Sequence, residues 1–442
     1  MANENRSTVL VLDFGAQYAQ LIARRVRDLH VYSELVPCDI TADEVRALAP
    51  AALILSGGPA SVYAPDAPRM DPAIFDLGLP ILGFCYGQQI MAVTLGGTVE
   101  HTEAGEYGPA ELHVAQVPAG EGEAAGEGEG AGKEGAALAS ILFAGTSETQ
   151  TVWMSHRDAV SVVPEGFRIS AFTDTCPVAA MEDPARKLYA VQFHPEVSHT
   201  PEGTKMIRGF VMDVCGCRGD WEMSSFVETT IRELREKIGQ DHVILGLSGG
   251  VDSSVTAGLV SRAIGSQLHC VFVDHGLMRK DEGDEVEAIF GPAGNFDLNF
   301  TRVNARETFF LQLMGESAPE SKRTVIGSVF PQVFGEEAKK LKGTVRYIAQ
   351  GTIYPDVVES GGDGTGDVIK SHHNVGGLPK ELVKKLGFDE NPIEPLRMLF
   401  KDEVRRVGLE LGIPRELVYR QPFPGPGLGV RIVGEFTPDK VR

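Results

Sequence analysis

The run Ser248-Gly249-Gly250-Val251-Asp252-Ser253-Ser254 constrains the fold more than any other stretch of the chain. It follows the apolar run Val243-Ile244-Leu245-Gly246-Leu247, which reads as a buried strand. It precedes Val255-Thr256-Ala257-Gly258-Leu259-Val260, which opens a helix. A strand that feeds a helix through a turn of small residues makes an anion site, because the free N–H groups of the first helical turn point outward there. The two glycines let the backbone approach a ligand closely, and the hydroxyls add donors. Asp252 is out of place beside a phosphate unless a divalent cation bridges the two, which marks it as a candidate Mg²⁺ ligand. The lysine of a Walker A loop is missing. A serine-capped helix after a glycine turn would carry the same letters with no ligand.

At 442 residues the chain is too long for a single hydrophobic core. Apolar runs alternate with helical patterns nearly throughout. This predicts an α/β fold of two domains, each an open, mostly parallel sheet flanked by helices. In the first half, Val9–Leu12, Leu53–Leu55, Ile81–Phe84 and Leu188–Val191 read as strands, each ending in a small or chemically loaded residue. Chemistry at the carboxyl ends of strands suits an open α/β sheet. The expected divisions are a first domain over 1–215, a linker over 216–224 around the Cys215-Gly216-Cys217 turn, and a second domain over 225–425. Residues 426–442 begin a further region. Within the first domain, about 119–137 is low-complexity Gly, Glu and Ala and is expected to be a solubilising surface loop. In the second, Phe226–Ile238 has helical periodicity, and Val243–Leu247, Cys270–Val273 and Val345–Ile348 are its strands. Ser360–Asp367 turns glycine-rich and reads as a mobile loop.

Lys+Arg 41 against Asp+Glu 61 leaves a net charge of −20. That balance disfavours nucleic acid and anionic membrane as partners and points to small-molecule ligands held by local donors. The N-terminus has no signal-peptide pattern, and no apolar run is long enough to span a bilayer. Six cysteines in so long a chain make no disulfide framework, so the expected compartment is a reducing cytoplasm. Cys215 and Cys217 are too close in sequence for the usual zinc spacing.

A second constellation lies in the first half. Gly83-Phe84-Cys85-Tyr86-Gly87-Gln88-Gln89 sits where a strand turns into a helix. A nucleophile on such an elbow is exposed at the sheet edge, and a helix N-terminus favours the thiolate. A lone cysteine after a strand is more often a core residue. His194-Pro195-Glu196, after the strand Leu188–Phe193, supplies what the thiol lacks, an imidazole to take its proton and a carboxylate to orient the ring.

The Gly-x-Cys-x-Gly-x-Gln elbow with a downstream His-Pro-Glu resembles the class I glutamine amidotransferases. The resemblance implies Cys85 as nucleophile, His194 as base and Glu196 as its orienter. Ser56-Gly57-Gly58-Pro59 matches the oxyanion loop of that family, with the N–H groups of Gly58 and Tyr86 as donors. Gln89 matches a residue that holds substrate glutamine, and Ser155-His156 the segment facing its amino-acid end. The Ser248–Ser254 loop resembles that of the N-type ATP pyrophosphatases, whose domains belong to the adenine-nucleotide α-hydrolase-like folds. Val271–Leu277, Ala349–Asp356, Ile369–Pro379 and Pro422–Leu428 resemble the glutamine-hydrolysing GMP synthetase family over essentially the whole chain outside the Gly/Glu insert.

This second resemblance implies that ATP, with Mg²⁺, adenylates xanthosine 5′-monophosphate and that ammonia from glutamine then displaces AMP. Ser248, Gly249, Gly250, Val251, Asp252, Ser253 and Ser254 would hold the phosphates. Val273 and Gly351 would contact ATP, and Lys370 would do so from a closing lid. The neighbouring His372-His373 pair reads as lid contacts, since adjacent strand residues face opposite ways. Arg323 matches a position that binds the nucleotide monophosphate, although it could equally be a solvated helix charge. In the family a further domain used for dimerisation and xanthylate binding follows the Pro-Gly-Pro-Gly run, whereas this sequence stops at Arg442. The homodimer and the complete xanthylate site are therefore in question. Another glutamine-dependent ATP pyrophosphatase, NAD-forming or tRNA-modifying, and a non-catalytic nucleotide sensor are the competing readings. The charge of −20 disfavours the tRNA type.

Overall fold

Short runs of aliphatic and β-branched residues, buried on both faces, set the strands of two separate sheets. The computed structural model describes residues 6–59, 61–115, 140–361, 383–384, 387–389, 391–423 and 425–441. The Gly/Glu-rich segment 119–137 lies outside them, as do Lys370 and the His372-His373 pair. Ser360 and Gly361 close a helix instead of opening the expected loop, whose remaining residues are also outside the described set. The chain divides into two units, Met1–Trp221 and Glu222–Arg442.

In the first unit the strands are β1 Thr8–Asp13, β2 Tyr32–Pro37, β3 Ala52–Leu55, β4 Ile81–Phe84, β5 Thr98–Val114, β6 Thr149–Val162, β7 Arg168–Phe172, β8 Ala180–Asp183 and β9 Leu188–Val191. They form one sheet in the order β2-β1-β3-β4-β9-β8-β7-β5-β6. The run β2-β1-β3-β4-β9 is parallel, and the rest is antiparallel. Helices α1 Ala19–Asp28, α2 Ala42–Leu48, α3 Tyr86–Thr94 and α4 Gly203–Arg208 belong to this unit. Leu10, Leu12, Leu53, Leu55 and Ile81 pack with Ile90 and Met91 of α3 in one core.

The contact between α3 and the sheet is unusually close. A Cβ on Gly83 would lie 2.6 Å from the carbonyl carbon of Gly87, and one on Gly87 would run into the Leu55 carbonyl. Glycine at these two positions is thus a packing requirement.

The second unit holds β10 His242–Gly246, β11 Leu268–Asp274, β12 Asn299–Asn304 and β13 Val345–Ala349, ordered β12-β11-β10-β13. All its pairs are parallel. Its helices include α5 Met223–Ile238, α6 Val251–Ile264, α7 Glu282–Phe290, α8 Arg306–Leu313, α9 Pro319–Lys340, α10 Tyr354–Gly361 and α11 Lys401–Glu410. Ile244, Val271 and Ile348 of the sheet pack with Phe309, Ile326 and Phe334 of α8 and α9. On α9, Lys322 is completely buried, and its ammonium donates to the carbonyls of Ile432 and Gly434, each at 2.7 Å. Burial pushes that ammonium's pKa down. The two carbonyls compensate and tie the segment around Gly434 to the core.

Gly87→Ala should force α3 off the sheet and cost about 1–3 kcal/mol. The check is the denaturant midpoint of the first unit, read from its tryptophans; an unchanged midpoint would contradict the close contact.

Candidate active site

Cys85 stands between β4 and α3 with φ +50°, a left-handed conformation rare outside glycine. Its N–H donates to Val191 at 2.8 Å, which fixes the elbow to β9. The thiol is buried at the helix N-terminus. Its Sγ lies 3.7 Å from the Ser155 carbonyl and accepts from Gln192 Nε2 at 3.5 Å. His194 Nδ1 and Glu196 Oε1 are 2.8 Å apart, and Glu196 is 1% exposed. The imidazole is located by its own backbone, with His194 N–H donating to Trp153 and its carbonyl accepting from Thr200 Oγ1 at 2.7 Å. Burial pushes His194 down, but hydrogen bonds with Cys85 and Glu196 and the charges on both outweigh it, raising the imidazole to about 10. The ring therefore lies beside the Cys85 sulfur on one side and the Glu196 carboxylate on the other, and both favour its protonated form.

Gly57 and Gly58 pass beside this group. A Cβ on Gly57 would sit 3.2 Å from the His194 ring, and one on Gly58 3.1 Å from the Tyr86 ring. Ser56 Oγ accepts from Phe14 N–H at 3.0 Å and donates to the Gly57 carbonyl at 2.9 Å, which shapes the turn. Tyr86 is the first residue of α3, where an N–H has no carbonyl four residues back.

Gln89 is also buried here. Its Nε2 donates to the Asp158 carbonyl at 2.7 Å and to Gln192 Oε1 at 3.2 Å, so it reaches the thiol through Gln192. Ser155 and His156 part company. The Ser155 carbonyl faces the sulfur, while the His156 ring is buried and bonded to Glu106 at 2.9 Å.

The Ser248–Ser254 loop follows β10 as expected. Gly249 has φ +78°, and Gly250 caps α6. Ser253 Oγ binds Ser248 N–H at 3.2 Å and Ser248 Oγ at 2.9 Å, closing the loop on itself. Ser254 is completely buried, and its hydroxyl has no hydrogen-bond partner among the described residues. A Cβ on Gly351 would come 3.0 Å from Asp252 C and 3.1 Å from Ser253 N, so the end of β13 is pressed against the first turn of α6. Lys401 Nζ, at the start of α11, sits 2.7 and 2.6 Å from the two Asp252 oxygens. Burial raises the Asp252 carboxyl, Lys401 opposes it, and Asp356 adds to the rise.

Two expected ligands are not brought to this loop. The Val273 side chain is buried in the core, so only its backbone at the end of β11 can meet a nucleotide. Arg323 is half-exposed on α9 and pairs with Glu320 at 2.8 Å. Sequence reasoning missed Gln192 and Lys401. Gln192 carried a signal, since it lies two residues before His194. Lys401 carried none, since it is 149 residues from Asp252. Glu282 was missed as well. It is buried, takes Arg279 and Arg420, and would lie 3.3 Å from a Cβ on Gly249.

Two family profiles divide the chain along these lines, Glutamine amidotransferase class-I over residues 10–214 and NAD synthase over residues 223–317. Fold and site together define a class I glutamine amidotransferase joined to an ATP-pyrophosphatase-type nucleotide unit. A GMP synthase (glutamine-hydrolyzing) of Clostridium botulinum (strain Alaska E43 / Type E3) is 56% identical over 437 residues, 99% of this chain and 80% of that protein. One from Lachnospira eligens is 56% identical over 438 residues, 99% of this chain and 78% of that protein. The crystal structure of a glutamine amidotransferase from Thermotoga maritima is 14% identical, with a TM-score of 0.34, and covers 48% of this chain and 99% of its own. The chain belongs to the glutamine-hydrolysing GMP synthase family. No helix among the described residues is long and apolar enough to cross a membrane.

Glu196→Gln keeps the side-chain volume and removes the charge. The His194 titration midpoint, followed by NMR of labelled imidazole, should fall from near 10 by at least about one pH unit, about 1.4 kcal/mol. His194 is raised when folded, so its contribution to stability is complete below its ordinary 6.5 and is lost as pH rises through about 10. The variant should lose the part of that alkaline dependence that Glu196 supplies, keeping the part due to Cys85.

Proposed function

We propose that the two sites carry the two halves of glutamine-dependent GMP synthesis, the reaction of the family. The chain is a carbon–nitrogen ligase with glutamine as amido-nitrogen donor. Glutamine is hydrolysed to ammonia, ATP adenylates xanthosine 5′-monophosphate, and ammonia gives GMP with release of AMP and pyrophosphate. The observation that carries the first half is the His194 ring held on Glu196 at 2.8 Å beside Cys85 on its strand–helix elbow. The Cys85 thiolate attacks the side-chain carbon of glutamine, and the oxyanion falls to the N–H groups of Gly58 and Tyr86. His194 returns its proton to the departing ammonia and then takes one from the water that cleaves the thioester. Gln192 Nε2 supports the thiolate, and Gln89 holds Gln192 in place. Ser155 lines the substrate side. His156 supports that strand through Glu106.

In the second half, Ser248 to Ser254 cradle the ATP phosphates at the N-terminus of α6. The residues present fit a Mg²⁺ ion. Asp252 is a carboxylate already facing a cation, the hard oxygen donor that Mg²⁺ takes beside a nucleotide, and it would hold the ion. The ion would neutralise phosphate charge. Lys401, paired with Asp252, supplies a positive charge next to the same loop. Gly351 packs against the first turn of α6 and so borders the phosphate loop, and the Val273 backbone reads the base. Lys370 adds a positive charge from the segment outside the described residues. Arg323 exchanges Glu320 for the phosphate of the nucleotide monophosphate. All six cysteines are free, and a thiol mechanism suits the reducing cytoplasm.

Cys85→Ala should abolish glutamine-dependent GMP formation while added ammonia still supports it; loss of both activities would contradict separate sites. Asp252→Asn should leave glutamine hydrolysis in place and lower xanthylate-dependent pyrophosphate release at least about 100-fold. Normal release would remove Asp252 from the nucleotide chemistry.

A further inference from the structure

Behind the β6 strand whose Ser155 carbonyl faces Cys85, three side chains with metal-binding atoms converge. A Glu106 carboxylate oxygen, a His156 ring nitrogen and Cys176 Sγ lie within 4.8 Å of one another. Cys176 and His156 are buried, and the Glu106 side chain is 15% exposed. The glutaminase chemistry uses none of the three side chains.

Each ligand is oriented from behind. His156 Nδ1 is 3.1 Å from the Asp158 carbonyl, which sets the ring so that its Nε2 edge faces Glu106. Nε2 lies 2.9 Å from the Glu106 Oε2, with the carboxylate and the ring edge turned toward one another. Glu106 Oε1 accepts from Thr173 Oγ1 at 3.2 Å and from the Thr175 hydroxyl, which turns Oε2 toward the ring. Cys176 N–H donates to Thr173 Oγ1 at 2.9 Å, so one threonine aligns both the thiol and the carboxylate. Histidine bound through one nitrogen and donating from the other to a carbonyl, with a hydrogen-bonded carboxylate beside it, is the usual outer arrangement of a metal site.

We propose that Glu106, His156 and Cys176 form a site for a borderline-soft divalent cation such as Zn²⁺, with water as fourth ligand. The mixed N, S and O donor set favours zinc over Mg²⁺ or Ca²⁺. Tetrahedral zinc would space its ligand atoms by roughly 3.3–3.7 Å. Side-chain shifts of about an ångström therefore suffice. Binding forms one S–metal, one N–metal and one O–metal bond. The Cys176 proton leaves to solvent, and no electron is transferred. The ion would join the β5–β6 hairpin to the loop before β8. The Asp158 carbonyl that holds His156 also accepts from Gln89, so occupancy would stiffen the wall of the thiol pocket.

The test uses the full chain carrying Cys85→Ser, which removes the reactive thiol from the count, with Co²⁺ as the probe. One equivalent should bind with a thiolate-to-cobalt charge-transfer band and tetrahedral d–d bands, and Zn²⁺ should displace it. Adding Cys176→Ser should erase the charge-transfer band, whereas adding Cys38→Ser should keep it. Adding Glu106→Gln, which preserves the thiol and the volume, should weaken Co²⁺ binding at least about tenfold, with the far-ultraviolet circular dichroism unchanged. Binding without a thiolate band, a band that survives Cys176→Ser, or no binding at all would overturn the assignment. None of these readouts depends on glutamine or nucleotide turnover.

Discussion

Both sites depend on a helix whose first turn is pressed against neighbouring backbone at a glycine contact. In the first unit the pressure is between α3 and β3, at Gly87 against Leu55. In the second it is between α6 and the residues after β13, at Gly351 against Asp252 and Ser253. A side chain at either point would hold the helix away and move its N–H groups out of reach of any ligand. The close approach also makes the dipoles useful, because a partial positive charge at a helix terminus acts within about one turn. The thiol of Cys85 and the loop around Asp252 are placed where that charge is strongest.

The two units answer opposite electrostatic problems. In the first, the Cys85 sulfur sits among donors: a helix N-terminus, the Gln192 amide and the His194 imidazole. In the second, a polyanion must be bound by a chain carrying −20 net charge. The fold meets this with local cations that are already committed to carboxylates, Lys401 to Asp252 and Arg420 to Glu282. A buried carboxylate paired in this way is not left uncompensated before the nucleotide arrives.

Much of this was legible in the sequence because the signals were local. The short buried runs at Leu53–Leu55 and Leu188–Val191 could hardly be anything but strands of a covered parallel sheet. The elbow around Cys85 and the loop at Ser248–Ser254 declare themselves through adjacent residues. What escaped was the part fixed by pairing at a distance. The β5–β6 hairpin alternates polar and apolar residues over a long span, with two glycines and a proline inside it, so no apolar run announces it. Edge strand β12 is polar and never fully buried. Ser155 meets the sulfur through its main chain and His156 meets Glu106 through its ring, a division that two adjacent letters do not encode.

The burial of Lys322 has a consequence for how the molecule comes apart. Trypsin needs the lysine side chain free in its specificity pocket, yet this ammonium lies under the carbonyls of Ile432 and Gly434 inside a folded helix. Cleavage after Lys322 must therefore wait until the stretch around Gly434 has peeled away. The Lys322–Arg323 bond is in effect a built-in clock, ticking at the rate at which that end of the chain lets go.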